Sequence, residues 1–134
     1  HFLKGYVHSY ILGDAADPSN VKKVEDIIAE DPGPTFVFLD DNHNRDHVLS
    51  ELRQYSKFVT ENSLIVVADT VYEDLDGTPV GKSNEKYPDV AKSNPRAAIK
   101  LFLDENDSFE MDMSFTGAGG PSLFPDGFLR RLKI

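Results

Sequence analysis

Cysteine is absent from the 134-residue chain, which excludes a disulfide framework, a thiolate nucleophile and Cys-ligated zinc, and is in keeping with a reducing compartment. Positive charge is scarce. Fourteen Lys and Arg face 23 Asp and Glu, and the resulting formal charge of -9 repels phosphate backbones and anionic lipid. Neither nucleic acid nor a membrane is expected as a partner. Long apolar runs are missing too: stretches such as Leu64–Ala68 fall far short of the roughly 18 residues that span a bilayer, and the N-terminus has no signal-peptide h-region. A soluble, cytoplasmic protein is the expectation. With about 150 residues to a typical domain, residues 1–134 form a single domain at most.

What is present alternates between two periods. Val7–Leu12, Phe36–Leu39 and Leu64–Ala68 are short apolar, β-branched or aromatic runs, each followed by acidic or small polar residues, and they read as buried parallel strands. Between the first two, Pro18–Glu30 carries Val21, Val24, Ile27 and Ile28 at helical spacing, behind a cap-competent Asp17 and a Pro suited to the first turn. Val48, Leu49, Leu52 and Tyr55 form a second helical stripe, entered through the cap candidates Asn42, Asn44 and Asp46. Pro95 opens a third helix with Ala97, Ala98, Ile99, Leu101, Phe102 and Leu103, capped by Asn94 or Ser93. Ser108–Met113 and Phe128–Leu132 read as an antiparallel return around a flexible Gly- and Pro-rich turn, Gly117–Gly127.

Residues 70–94 hold Gly77, Pro79, Gly81 and Pro88 and show no periodicity. Loops beyond about 15 residues usually carry function or move, so this stretch is expected to be a lid. The alternative is a packed loop anchored by Tyr72, Leu75, Val80, Tyr87 and Val90.

In an open α/β sheet the ligand crevice lies beyond the carboxyl ends of the strands. Asp14, Asp40 and Asp69 follow the three apolar runs. The cluster Asp40-Asp41-Asn42-His43, with Asp46 and His47 close behind, supplies oxygen and imidazole groups suited to a hard cation or to proton transfer. Neighbouring parallel strands lie about 4.8 Å apart, so Asp40 and Asp69 can converge on one ion. Capping is the plainer reading of Asn42, Asn44 and Asp46, and a solvated charge cluster that of Glu73, Asp74 and Asp76. His43 and His47 share a helix face only if the helix begins before His43.

Together "ILGDAADP", "FLDDNHNRDHVLSEL", "LIVVADTVYED", "NPRAAIKLFL" and "GFLRR" resemble, in order and over nearly the whole chain, the successive blocks of the cephalosporin hydroxylase family, which is built like an S-adenosylmethionine-dependent methyltransferase. The spacing of Asp40 and Asp69 is similar to that of catechol O-methyltransferase-like enzymes, which hold magnesium there. The resemblance implies an α/β, Rossmann-like methyltransferase fold, mostly parallel, with an antiparallel C-terminal strand pair. It places Val7–Leu12 as the third strand of a sheet ordered 3-2-1-4-5-7-6, which leaves the first two strands and their Gly-rich cofactor loop lacking. A missing N-terminal segment follows from that topology.

By the same resemblance Asp14, Ala15 and Ala16 border the adenine of S-adenosylmethionine, Asp40, Asp69 and Thr70 hold Mg²⁺, and His43 is the general base. The chain departs from the family pattern at Ala68, where a Glu ligand stands in the family, and at Thr70, where catechol-type enzymes carry Asn. The implied function is Mg-assisted O-methyl transfer to a hydroxyl of a sugar or another small molecule. Two other readings stand beside it: hydroxylation, as the family name suggests, although no 2-His-1-carboxylate set is evident; and a non-catalytic assembly module that retains a homo-oligomer surface. A receiver-like phosphoacceptor domain fails on the order of its acidic residues and the lack of a Lys after Phe109–Met113.

Overall fold

A computed structural model describes residues 9–115 and 122–133. Three helices and four strands follow the order α1 (Pro18–Glu30), β1 (Val37–Leu39), α2 (Arg45–Tyr55), β2 (Leu64–Val67), α3 (Pro95–Glu105), β3 (Phe109–Met111) and β4 (Phe128–Arg131). Local signals set the helix ends. The Asp17 carboxylate accepts from the Ser19 backbone N–H ahead of Pro18, and the Asn94 side chain accepts from Ala97 N–H ahead of Pro95. Asn44 occupies the N-cap position of α2 without a side-chain cap bond; Asn42 instead accepts from Asn44 N–H in a local turn.

The sheet runs β1-β2-β4-β3. β1 and β2 are parallel, with Leu39 opposite Val67, and β4 is antiparallel to both β2 and β3. Alternation along the strands turns Leu39, Ile65, Val67, Phe109 and Leu129 toward α2 and α3. There they pack against Val48, Leu49, Leu52, Ala98, Ile99 and Phe102 as one core. Gly127 carries the chain into β4 so close to β2 that a side-chain Cβ would lie 2.4 Å from the Val67 carbonyl oxygen, and only glycine fits.

Two expectations are corrected. The described part of the run Val7–Leu12, residues 9–12, is not a strand, and Tyr10 and Leu12 are 84% and 91% exposed. An extended run becomes a strand only where another strand completes its hydrogen bonds, and among the described residues none lies beside it. The sheet is accordingly mixed rather than mostly parallel, since only β1 and β2 pair in parallel. The turn at Gly117–Pro121 lies outside the described residues. Among the described residues no helix is long and apolar enough to cross a membrane.

Candidate active site

Asp40 directly follows β1 and Asp69 follows β2 by one residue, so the parallel register of Leu39 with Val67 sets the two carboxylates side by side at the carboxyl end of the sheet. Ala68, buried, continues the ladder by donating to the Leu39 carbonyl. Asp69 then takes a left-handed backbone, φ 55°, as the chain turns sharply into a 3₁₀ segment, Thr70–Glu73. Asp tolerates this conformation better than most residues, and strain of this kind concentrates at functional sites.

His43 comes to the same place from the loop before α2. Its Nε2 lies 3.0 Å from Asp69 Oδ2 and 4.0 Å from Asp40 Oδ1, and the ligand atoms of the three residues fall within 4.8 Å of one another. The ring is held by aromatics: Tyr87 stacks on it at a centroid distance of 5.3 Å and Tyr72 tilts against it at 5.0 Å. Nδ1 is buried without a hydrogen-bond partner, so Nε2 is the nitrogen that meets the two carboxylates. Among the described residues no Lys or Arg pairs with Asp40 or Asp69. A pair of carboxylates free of basic neighbours suits a hard cation, because Mg²⁺ takes one or two carboxylates and keeps several waters. Thr70 stands apart from this arrangement: it is fully buried and its hydroxyl donates to the Pro125 carbonyl.

The helix beginning at Arg45 separates the two histidines. His47 sits on α2, whereas His43 precedes it, and each serves a different group of acids. His47 Nε2 lies 3.3 Å from Asp41 Oδ2, 3.8 Å from Asp14 Oδ1 and 3.8 Å from Glu51 Oε2. Beside it, Ala15, Val37, Phe38, Leu39, Asp41, Glu51 and Tyr55 line a cavity of about 270 Å³ that Asp40 also borders. The segment expected at the adenine is pinned to α2 here, because Tyr55 Oη donates to the Ala15 carbonyl and Gln54 Nε2 to the Ala16 carbonyl.

Glu51 is 2% exposed, and burial first, then the Asp41 and Asp14 carboxylates, push its carboxyl up to about 7. A raised carboxyl pKa makes the folded state hold the proton more tightly than the unfolded chain, so stability is greatest below the ordinary Glu value and falls as pH rises toward 7. In metal-free protein Glu51→Gln is therefore expected to raise Tm at pH 8 and to leave it nearly unchanged near pH 4.5. The difference is a few kcal/mol at roughly 1.4 kcal/mol per pKa unit. Equal melting shifts at both pH values would show that Glu51 ionises without penalty.

Residues 70–94 pack as an ordered loop. Val90 is 2% exposed, Asn94 Nδ2 donates to the Val90 carbonyl, Ser83 Oγ accepts from Val90 N–H, and Asn44 Nδ2 reaches the Lys86 carbonyl. Of the expected anchors Val80 contributes least, at 70% exposed. Glu73 and Asp74 are not merely solvated. Arg96 on α3 grips Asp74 with both terminal nitrogens at 2.8 and 2.9 Å and reaches Glu73 at 3.0 Å, which holds the Asp74 carboxyl below its ordinary range and ties the turn after Asp69 to the core.

Acids and an imidazole thus gather at the carboxyl ends of two adjacent parallel strands, the place where open α/β sheets carry their ligand crevice. The particular class follows from comparison: the chain belongs to the Rhamnosyl O-methyltransferase/CmcI family, whose pattern matches residues 4–132. It is 27% identical over 124 residues to the rhamnosyl O-methyltransferases of Mycobacterium tuberculosis and Mycobacterium bovis. The match covers 91% of this chain and 46% of each relative, so the chain spans about half the length of the curated relatives it matches. No solved structure shows a significant match.

Proposed function

We propose that the protein containing this chain transfers a methyl group from S-adenosylmethionine to a hydroxyl of a sugar or sugar-like small molecule. The single observation that carries this reading is the convergence of Asp40, His43 and Asp69 at adjacent strand ends in a chain of this family. Asp40 and Asp69 would hold Mg²⁺, which lowers the pKa of a bound hydroxyl and orients it. A hard cation favours oxygen over imidazole. His43 is thus left as the candidate general base: its Nε2 meets Asp69 Oδ2 at 3.0 Å in this structure and would be free to take the hydroxyl proton once that oxygen turned to the ion. S-adenosylmethionine supplies an electrophilic methyl on sulfur. The cavity beside Ala15 has an apolar floor of Val37, Phe38 and Leu39 for a flat ring, and its acidic rim suits a cationic cofactor. Ala15 and Ala16, fixed through their carbonyls to α2, would form the adenine wall with Asp14 at the rim.

The test is product analysis. Protein, S-adenosylmethionine and a panel of rhamnosides are incubated and the products examined by mass spectrometry. The reading expects a gain of one methyl in place of a hydroxyl proton, with S-adenosylhomocysteine released. A gain of one oxygen would instead establish hydroxylation, and no modified acceptor with any sugar would remove the sugar assignment.

A further inference from the structure

We infer that Asp14, Asp41, His47 and Glu51 form a second divalent-cation site, distinct from the pair at Asp40 and Asp69 and suited to a transition dication such as Mn²⁺ or Zn²⁺. The geometry begins with two neighbours in sequence. Asp40 and Asp41 leave the end of β1 toward different histidines, so one short segment serves two clusters. In the second cluster one imidazole nitrogen faces three carboxylates at 3.3, 3.8 and 3.8 Å; the ligand atoms of Asp14, Asp41 and His47 lie within 4.8 Å of one another, while Glu51 approaches His47 from the buried side and stands outside that trio.

The contact with Asp41 is a hydrogen bond at the long end of the range, and the two at 3.8 Å lie beyond it. All three are near the spacings of donors around a cation, because bonds of about 2.1–2.2 Å at angles near 90–110° put donor atoms roughly 3.0–3.6 Å apart.

Acids at a surface prove nothing alone, but Glu51 is not at the surface. It is 2% exposed, its Oε2 has no hydrogen-bond partner, and that atom points toward His47 from the wall of the cavity it shares with Asp41. An unpartnered carboxyl in such a place is costly unless a proton or a cation neutralises it. Among the described residues no Lys or Arg comes within ion-pair distance of Asp14, Asp41 or Glu51. A dication would neutralise the group and displace the proton.

The mixed donor set chooses the metal. One imidazole with three carboxylates suits Mn²⁺ or Zn²⁺ better than Mg²⁺ or Ca²⁺, which prefer oxygen alone. The half-exposed Asp14 and Asp41 leave room for water on the outer side of the ion. Asp14 thereby gains a role of its own, while Ala15 keeps the cavity wall. This inference does not rest on the methyl-transfer reading.

The experiment is Mn²⁺ titration of EDTA-stripped protein, with free ion counted by electron paramagnetic resonance and Zn²⁺ binding followed by calorimetry. The wild type, His47→Gln, Glu51→Gln and Asp69→Asn are compared, each checked by circular dichroism. One equivalent should bind at least tenfold more weakly in His47→Gln and Glu51→Gln and persist in Asp69→Asn. Glu51→Gln, expected to be the more stable protein without metal, carries the comparison even if His47→Gln folds poorly. Identical binding in wild type, His47→Gln and Glu51→Gln would overturn the assignment. So would loss of all bound Mn²⁺ in Asp69→Asn, or the absence of Mn²⁺ and Zn²⁺ binding to the wild type at millimolar concentration.

Discussion

Replacing His43 with Gln is expected to lower kcat for methyl transfer by about 10²–10⁴, the usual contribution of a positioned general base. Gln keeps a polar side chain of similar reach but takes up no proton, so the loss isolates proton acceptance rather than packing. Tyr87 and Tyr72 fix the ring from its faces. KM for the acceptor should change little, because the base acts as the hydroxyl loses its proton. Rescue gives a second readout: added imidazole should restore part of kcat in the variant. A variant that kept more than a tenth of wild-type kcat, indifferent to imidazole, would assign His43 a structural role beneath the two tyrosines.

The largest expected stability effect lies on α3. Phe102 is 1% exposed at the centre of the core and its ring meets Phe109 of β3 at a centroid distance of 5.5 Å, so it joins helix to sheet. Phe102→Ala removes that ring and leaves a cavity, at a cost of about 3–5 kcal/mol. Against a total stability of roughly 5–15 kcal/mol this is a large fraction, and the midpoint of thermal unfolding should fall by on the order of 10 °C or more. Leu101, the preceding residue on the same helix, is 42% exposed, and Leu101→Ala should cost well under half as much. Urea unfolding of the two variants decides it: equal losses would mean that the helix does not bury the face described.

The sequence was most legible where short-range chemistry decides structure. Asp17 before Pro18 and Asn94 before Pro95 mark helix starts because cap and proline act within one turn, and the structure begins α1 and α3 at those prolines. Phe36–Leu39, Leu64–Ala68, Ser108–Met113 and Phe128–Leu132 each contain an observed strand; β2 is buried along most of its length, whereas β1, β3 and β4 bury single residues, Leu39, Phe109 and Leu129. The juxtaposition of Asp40 and Asp69 followed from parallel pairing alone.

What the sequence concealed depends on distant partners. Val7–Leu12 has the composition of a strand, but composition cannot supply the neighbouring chain that a strand needs, and the described residues 9–12 remain irregular. Nothing local in the sequence marks Glu51, between Ser50 and Leu52, as buried. Its spacing of four from His47 was the available signal, and only the fold adds Asp14 from far upstream. Arg96 gave no sign of its role, because its partners Glu73 and Asp74 lie across the loop at residues 70–94, whose tyrosines fold back onto His43.

Whether the carboxylates at the ends of β1 and β2 activate an acceptor hydroxyl for methyl transfer is decided by one rate measurement. Transfer of tritiated methyl from S-adenosylmethionine to a rhamnoside is followed for wild type, Asp40→Asn and Asp69→Asn, each with Mg²⁺ and with EDTA. EDTA should slow the wild type by at least about 10²-fold, a few kcal/mol of metal-assisted stabilisation, added Mg²⁺ should restore it, and both variants should be slow in either condition. Methyl transfer at the wild-type rate in Asp40→Asn and Asp69→Asn, indifferent to EDTA, would contradict that role of the carboxylates.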